Sequence, residues 1–372
     1  MLVVFCSNFM NHHQYFLSQE FINSGVEYYF VAMGKLPKEQ QALGYYTYDE
    51  KFIVQYNEDN EEYINKLILL ADAVIFGSKP EHLYKLRVNS GKLTFNFSER
   101  LFKKSKLREV FAFTRVALKK KYLLKEHNVP YVLCAGSYVA MDYRRLGYPK
   151  DKFLKWGYFP DIPNESFEDI KSKKVENSLI WVGRFIPWKH PEYVLELAQY
   201  LKKKRKKFTI KMVGIGELYN DIKKKITKRE LDDVIQLTGA VSPERVLELF
   251  QESEIALLTS DRNEGWGAVV NESLASACAT VACKQMGSVS YLIEQNKNGL
   301  IYEFGKKKEF FKAVESVLDN SAEKNRLAKN AYQSIQDTWN YKVAAARLLT
   351  FIKDRVLYQD NGPISDGLSK HI

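Results

Sequence analysis

The sequence predicts an α/β protein of two domains, each a parallel β-sheet covered by helices, with the sheets facing a central cleft. Three observations carry that prediction. Short apolar runs alternate with helix-like stretches along both halves of the chain, the pattern of strands joined by helical crossovers. Most runs end in polar or glycine-rich loops, which places those loops at the carboxyl edge of a sheet, where open α/β folds bind ligands. The chain has 372 residues, more than one hydrophobic core usually organises.

The first apolar run, residues 2–6, gives way to the polar loop 7–14, as a strand feeding a helix would. Further strands are expected at 26–33, 53–55, 73–77, 92–97 and 129–134, with a helix at 61–70 among the segments between them. Residues 156–178 hold Gly157, Pro160, Pro163 and a polar, charged stretch, and read as the linker between domains. The second half repeats the alternation with clearer punctuation. Run 179–182 meets Gly183, 208–213 meets Gly214 and Gly216, 234–237 is followed by Gly239, 255–258 meets Thr259, and 280–282 is the last. Residues 344–357 read as a helix, and the tail from Gln359 as frayed and exposed.

Hydrophobic residues at 45%, with glycine and proline spread throughout, exclude disordered, collagen-like and low-complexity classes. Cys6, Cys134, Cys278 and Cys283 sit in apolar company without a CxxC pair, as reduced core residues of a cytosolic protein do. No signal peptide is expected, because the apolar start is short and lacks a basic region before it. No run approaches the roughly 18 apolar residues of a spanning helix.

The formal net charge of +11 is compatible with nucleic acid, anionic lipid, phosphorylated substrates or plain solvation. Residues 202–207, a basic run after the helix-like 194–201, are expected to cap a helix C-terminus. Segment 101–125 differs. Nine lysines and arginines there are interleaved with apolar residues, and Leu107, Phe111, Leu118 and Tyr122 recur at helical spacing. A helix lying on an anionic membrane surface has this pattern. So does a core-facing stripe with a solvated basic back. No nucleic-acid motif or stacking-aromatic array accompanies the charge, so no nucleic-acid partner is expected.

Arg184 lies just beyond the run 179–182 and Gly183, and Lys189 follows ahead of a helix expected from Pro191. Two cations at a strand-to-helix loop suit a diphosphate. Arginine forks onto two phosphate oxygens, lysine acts as a point charge, and the helix N-terminus adds unpaired N–H donors. A structural salt bridge explains such an arginine about as well. Gly214 and Gly216 allow backbone to approach a ligand closely, although a plain turn is the simpler reading. The stronger signal is Glu264-Gly265-Trp266-Gly267-Ala268-Val269-Val270-Asn271-Glu272, directly after the run 255–258. With Glu264 on the loop and Glu272 on the following helix, both carboxylates can face one ligand while the loop amides meet its phosphates. An ionised carboxylate accepts hydrogen bonds from adjacent sugar hydroxyls. The alternative is a helix-capping acid beside an unrelated surface glutamate.

Taken in this order, residues 179–302 resemble the C-terminal domain of the family-4 retaining glycosyltransferases. Val182-Gly183-Arg184-Phe185 with Lys189 resembles the family's V-G-R-(x)n-K-G diphosphate motif, and Val213-Gly214-Ile215-Gly216 its V-G-x-G turn. Leu237-Thr238-Gly239-Ala240-Val241 resembles the strand and loop near the base. Glu264 through Glu272 matches the E-x7-E signature. Gly287 to Leu292 with Asn298-Gly299-Leu300 matches the closing pattern loosely.

The resemblance implies the GT-B fold of two Rossmann-like domains. It implies an acceptor-binding domain over 1–158, a nucleotide-sugar-binding domain over 159–339, and a last helix near 340–357 that packs back on the first. It also implies that Arg184 and Lys189 neutralise the departing diphosphate, that Glu264 contacts the transferred sugar and Glu272 the ribose. The backbone of Gly265, Trp266, Gly267, Ala268 and Val269 would meet the diphosphate or sugar, with Gly183, Gly214, Gly216 and Gly239 completing the donor site. No metal and no other cofactor are expected, because cations and helix N-termini take that electrostatic role. Transfer would retain the anomeric configuration by a front-face route in which the leaving phosphate helps deprotonate the acceptor. UDP is the expected nucleotide.

Departures from the family pattern fall mostly in the first half. The loop 7–14 lacks the glycine pair of many members and resembles the opening of bacterial polysaccharide-assembly members. Asn11, His12 and His13 are its acceptor-side candidates, the histidines either positioning the acceptor or the sugar or stabilising the turn. Ser98, Glu99 and Arg100 stand where many relatives carry a histidine, and Ser288 where a second glycine is usual. The expected partners are a nucleotide-sugar donor, a saccharide or lipid-linked acceptor of capsule, exopolysaccharide or wall-polymer assembly, and an anionic membrane surface through 101–125. The expected location is cytoplasmic, peripheral on the inner face of the membrane. Another GT-B enzyme, such as an epimerase or phosphorylase, and a non-catalytic nucleotide-sugar sensor or scaffold are the rival readings.

Overall fold

The computed structural model describes residues 1–37, 47–78, 80–103 and 129–357. The chain divides into two compact units, Met1–Asp161 together with the chain from Asn340 onward, and Ile162–Trp339.

In the first unit, β1 (Leu2–Ser7), β2 (Glu27–Ala32), β3 (Ile53–Gln55), β4 (Ala73–Phe76), β5 (Thr94–Ser98), β6 (Tyr131–Ala135) and β7 (Phe153–Trp156) form one sheet. Its order is β3-β2-β1-β4-β5-β6-β7, and every pairing is parallel. β4 and β6 are buried at every position, as central strands covered on both faces must be. The helix Glu61–Leu70 places Ile64, Leu67 and Ile68 at its own period on Val4, Cys6, Val74 and Phe76 of the sheet. The last helix, Tyr341–Leu357, belongs to this unit. Its Tyr341 ring lies 5.6 Å from Phe16, and Phe351 packs 5.8 Å from Phe95 and 5.0 Å from Tyr131.

The second unit carries β8 (Val175–Val182), β9 (Thr209–Val213), β10 (Ile235–Gly239), β11 (Ser253–Leu258), β12 (Ala279–Cys283) and β13 (Leu300–Tyr302). They pair in parallel in the order β10-β9-β8-β11-β12-β13. In both sheets the order reverses between the first and fourth strands of the unit. The loops leaving β1 and β4, and those leaving β8 and β11, therefore border the switch points where such sheets bind ligands.

Several details depart from the sequence expectation. β7 and β13 are additional strands. Each is short, at four and three residues. The segment 156–178 is more than a linker, because Ser166 and Asp169 form a capping box that starts the helix Phe167–Ser172. β8 begins at Val175 rather than 179, its exposed first residues extending the pairing to Ser253. Lys202 and Lys203 close the helix Glu192–Lys203 as expected, while Lys202 and Lys206 also reach Asp233 and Asp319. The basic segment 101–125 lies, from residue 104 on, outside the described residues. All four cysteines are free and buried. Among the described residues no helix is long and apolar enough to cross a membrane.

Candidate functional site

In the second unit the loops after β8, β9 and β10 meet through their backbones beside the switch point. The Gly183 amide donates to Val213 O (3.0 Å), Phe185 N to Ile215 O (2.9 Å), and Gly214 N to Gly239 O (2.8 Å). Gly214 has φ +124°, and a Cβ there would sit 2.2 Å from Gly183 O; at Gly216 it would sit 2.6 Å from Phe185 O. Any side chain at either position would collide with the neighbouring loop. These glycines thus shape the Arg184 loop itself, whatever they do for a ligand.

The loop after β11 is braced in the same way. Gly287 lies against it so closely that a Cβ would be 1.7 Å from Gly265 O, while Ser288 donates through N (3.1 Å) and Oγ (2.7 Å) to Trp266 O. The serine that replaces a family glycine therefore adds a hydroxyl donor to the bracing. Trp266 is fully buried, donates its indole N–H to Asn271 Oδ1 (2.8 Å), and packs 6.3 Å from Tyr291 and 6.2 Å from Trp339. Its side chain is an anchor, leaving only its backbone for a ligand. Gly267, at φ +84°, turns the chain into the helix Val269–Ala275. Ala268 is the N-cap of that helix and supplies no side-chain cap, and Glu272 lies in its first turn.

Lys189 forms an ion pair with Glu264, both largely buried. Thr259 donates its hydroxyl to Lys189 O and accepts from the Trp181 indole (2.8 Å), which fixes the lysine's backbone. Arg184 is exposed, with its guanidinium 5.8 Å from the Trp188 ring centroid. The site thus joins one paired cation to a carboxylate and leaves a second cation facing solvent, beside glycine-lined backbone and a helix N-terminus. That set complements a diphosphate carrying a polyhydroxylated group.

Two residues here escaped sequence reasoning. His190, directly after Lys189, has φ 49° and ψ 53°, a left-handed geometry that costs a non-glycine residue on the order of 1 kcal/mol or more. Its Nδ1 faces Glu192 Oε1 and its Nε2 faces Asp261 Oδ2, each at 3.1 Å. Burial works against its charge, but the two carboxylates outweigh it and hold its pKa at about 9. Asp261 also donates its amide to Trp188 O (2.9 Å). A histidine ahead of an acidic helix start was the available signal.

In the first unit the loops after β1, β4 and β5 enclose a polar cavity of 520 Å³, lined by residues that include Ser7, Asn11, Gln14, Ser98, Glu99 and Tyr158. Of the sequence candidates, Asn11, Ser98 and Glu99 line it. Asn11 also caps the helix His12–Asn23, its side chain accepting from His13 N (3.0 Å). Glu99 accepts from Tyr158 OH (3.1 Å) and pairs with Lys103. His12 and His13 are not among the lining residues. Their rings lie 3.6 Å apart, with His13 edge-on to Tyr158 at 5.6 Å. Arg100 departs from the expectation. It is buried, 3.9 Å from Asp142 and 4.8 Å from the Tyr138 ring centroid. Burial raises the Asp142 carboxyl, Arg100 opposes that rise most strongly, and the carboxylate also accepts the Leu101 and Phe102 amides. Arg100 is drawn inward to balance a buried charge. Gln14, which no sequence argument singled out, is buried at the cavity wall with no partner for its Oε1 among the described residues.

Comparison with known proteins agrees with this architecture. Residues 163–334 match the family model described as glycosyl transferases group 1. An alpha-D-kanosaminyltransferase of Streptomyces kanamyceticus is 30% identical over 153 residues, 41% of this chain and 39% of that protein. The amylovoran biosynthesis glycosyltransferase AmsK of Erwinia amylovora is 24% identical over 208 residues, 52% of this chain and 50% of that protein. The chain thus spans half or less of the length of these curated relatives. The crystal structure of Anabaena HepE in complex with UDP superposes with a TM-score of 0.71 at 12% identity, covering 95% of this chain and all of that one. The fold is GT-B, and residues 163–334 are a glycosyltransferase group 1 domain.

Proposed function

We propose that the protein is a retaining glycosyltransferase, of hexosyltransferase type, that moves a sugar from a nucleotide diphosphate sugar, UDP-linked, to a saccharide or lipid-linked acceptor in bacterial surface polysaccharide synthesis. The observation that carries this reading is the Lys189–Glu264 pair at the switch point of the second sheet. A cation for the diphosphate and a carboxylate for the sugar are there held against each other before any ligand arrives. Relatives named for amylovoran and for colanic acid biosynthesis, and a fold neighbour with UDP in its site, support the choice of pathway class and nucleotide.

In this reading Arg184 swings from Trp188 to fork onto the diphosphate, and Lys189 shares its charge between Glu264 and the β-phosphate. The Val269–Ala275 helix N-terminus adds amide donors, Gly183, Gly214, Gly216 and Gly239 let the backbone close around the nucleotide, and Glu272 accepts the ribose hydroxyls. As the glycosidic bond breaks, negative charge grows on the diphosphate. Preorganised cations stabilise that growth more than they stabilise the ground state. The leaving phosphate takes the acceptor proton on the same face, so configuration is retained. No metal is required, because the protein supplies the countercharge. The polar cavity of the first unit would hold the acceptor.

A thermal-shift series of UDP, GDP, ADP and CMP with their sugars, run with EDTA on wild type and Arg184→Ala, tests the donor site, since a ligand of the native state raises its melting temperature. Stabilisation by the uridine series, lost in the variant, is the expected result. No shift with any nucleotide sinks the donor assignment and favours a scaffold of the same fold. Rescue only by added divalent metal would overturn metal independence.

A further inference from the structure

We propose that His190 is a positioning residue that, as an imidazolium, locks the Lys189 loop and the Glu264 loop into their ligand-ready arrangement. The proposal rests on the donor-site reading above and deepens it.

The backbone supplies the first argument. His190 is left-handed at φ 49°, at the position after Lys189 where the V-G-R-(x)n-K-G motif has a glycine. A side chain persists in that geometry only where its surroundings over-determine it. Here they do. Each ring nitrogen faces a carboxylate at 3.1 Å, Glu192 from its own helix and Asp261 from the loop after β11. Only the protonated ring can donate from both nitrogens at once.

Asp261 then passes the constraint on. Its carbonyl accepts the Glu264 amide (3.1 Å) and its Oδ1 accepts the Asn263 amide (2.8 Å), so Asp261 begins the turn that presents Glu264. Its own amide holds Trp188 O, one residue before Lys189. The Phe304 and Tyr193 rings flank the imidazole at 4.8 and 5.2 Å. Lys307, from the helix Lys307–Asp319, lies over the Tyr193 ring, pairs with Glu196 (2.7 Å) and helps hold the Glu192 carboxyl low. The folded pKa of about 9 lies above the ordinary histidine value, so the lock is complete at neutral pH and opens as pH rises through 9.

The test is the affinity of the full chain for UDP, by calorimetry at pH 7.5 and pH 9.5, for wild type, His190→Gly and Asp261→Asn. Glycine accepts the left-handed backbone without strain, and the aspartate variant supplies an independent break of the same contact. Wild type should weaken roughly threefold between the two pH values, because a lock with the tenfold effect of one indirect charged hydrogen bond is only partly open half a unit above a pKa of about 9. Both variants should start about tenfold weaker at pH 7.5 and change little by pH 9.5. Variants that match wild type at pH 7.5, or that decline in parallel with it, overturn the proposal alone. A wild type that binds neither UDP nor GDP nor ADP at pH 7.5 overturns it together with the donor-site reading.

Discussion

Both units run their strands in the same order around the same reversal and tie the loops there together through backbone, yet the side chains at the two reversals differ. In the second unit they are joined to one another by glycine-permitted backbone contacts, the Lys189–Glu264 pair and the His190–Asp261 contact. In the first, backbone bonds also join the loops, Gly34 N to Asn8 O (2.6 Å) and Gly77 N to Cys6 O (2.8 Å), Asn11 caps the helix that follows, and a polar cavity stays open among them. One frame thus supports a site built around the Lys189–Glu264 pair and an open polar cavity with Glu99 in its wall. In the proposed reading the charged site takes the diphosphate common to many reactions, and the open cavity takes the acceptor, which differs between enzymes.

The sharpest way to break this comparison is to force the braced loops apart. Gly287→Ala places a methyl 1.7 Å from Gly265 O and should cost on the order of 4 kcal/mol by urea unfolding. Gly239→Ala, where nothing lies within 4 Å of the new Cβ and only φ +74° objects, should cost about 1 kcal/mol. Equal losses would mean that close approach is not what the second unit relies on. Next in size, Glu264→Gln leaves Lys189 without its countercharge and should lower transfer at saturating donor and acceptor roughly 100-fold, read as nucleotide release. In the first unit, Gln14→Met removes an unsatisfied cavity acceptor and should raise the acceptor KM about tenfold with kcat nearly unchanged. A fall in kcat there would erase the division of labour. Smallest, Ser288→Ala deletes the 2.7 Å bond to Trp266 O and should cost about 1 kcal/mol, detected as a lower midpoint in denaturant.

The same contrast explains what was legible beforehand. In the second unit the residues that fix the loops are glycines, whose spacing is informative because no other residue fits, and charged residues at strand ends. The group 1 domain and the GT-B fold could therefore be read from residues 179–302. Most strands were visible as apolar runs. β7 and β13 were not read as strands, although β3 and β4 are as short. His190 escaped because its role depends on a backbone angle and on an aspartate 71 positions away. Arg100 misled because sequence shows that a cation stands at a loop but not that a buried Asp142 pulls it inward. Gln14 was invisible for the opposite reason, being one polar residue on a helix face that could have pointed anywhere.

The Arg184–Trp188 contact has a practical consequence. Trp188 is only partly buried, with the guanidinium poised above its ring, so an anion that draws the arginine away alters the field on that indole. The site thereby carries its own fluorophore. Emission that shifts on adding UDP in wild type and is unmoved in Trp188→Phe would let donor binding be timed in unlabelled protein, step by step, before any sugar is transferred.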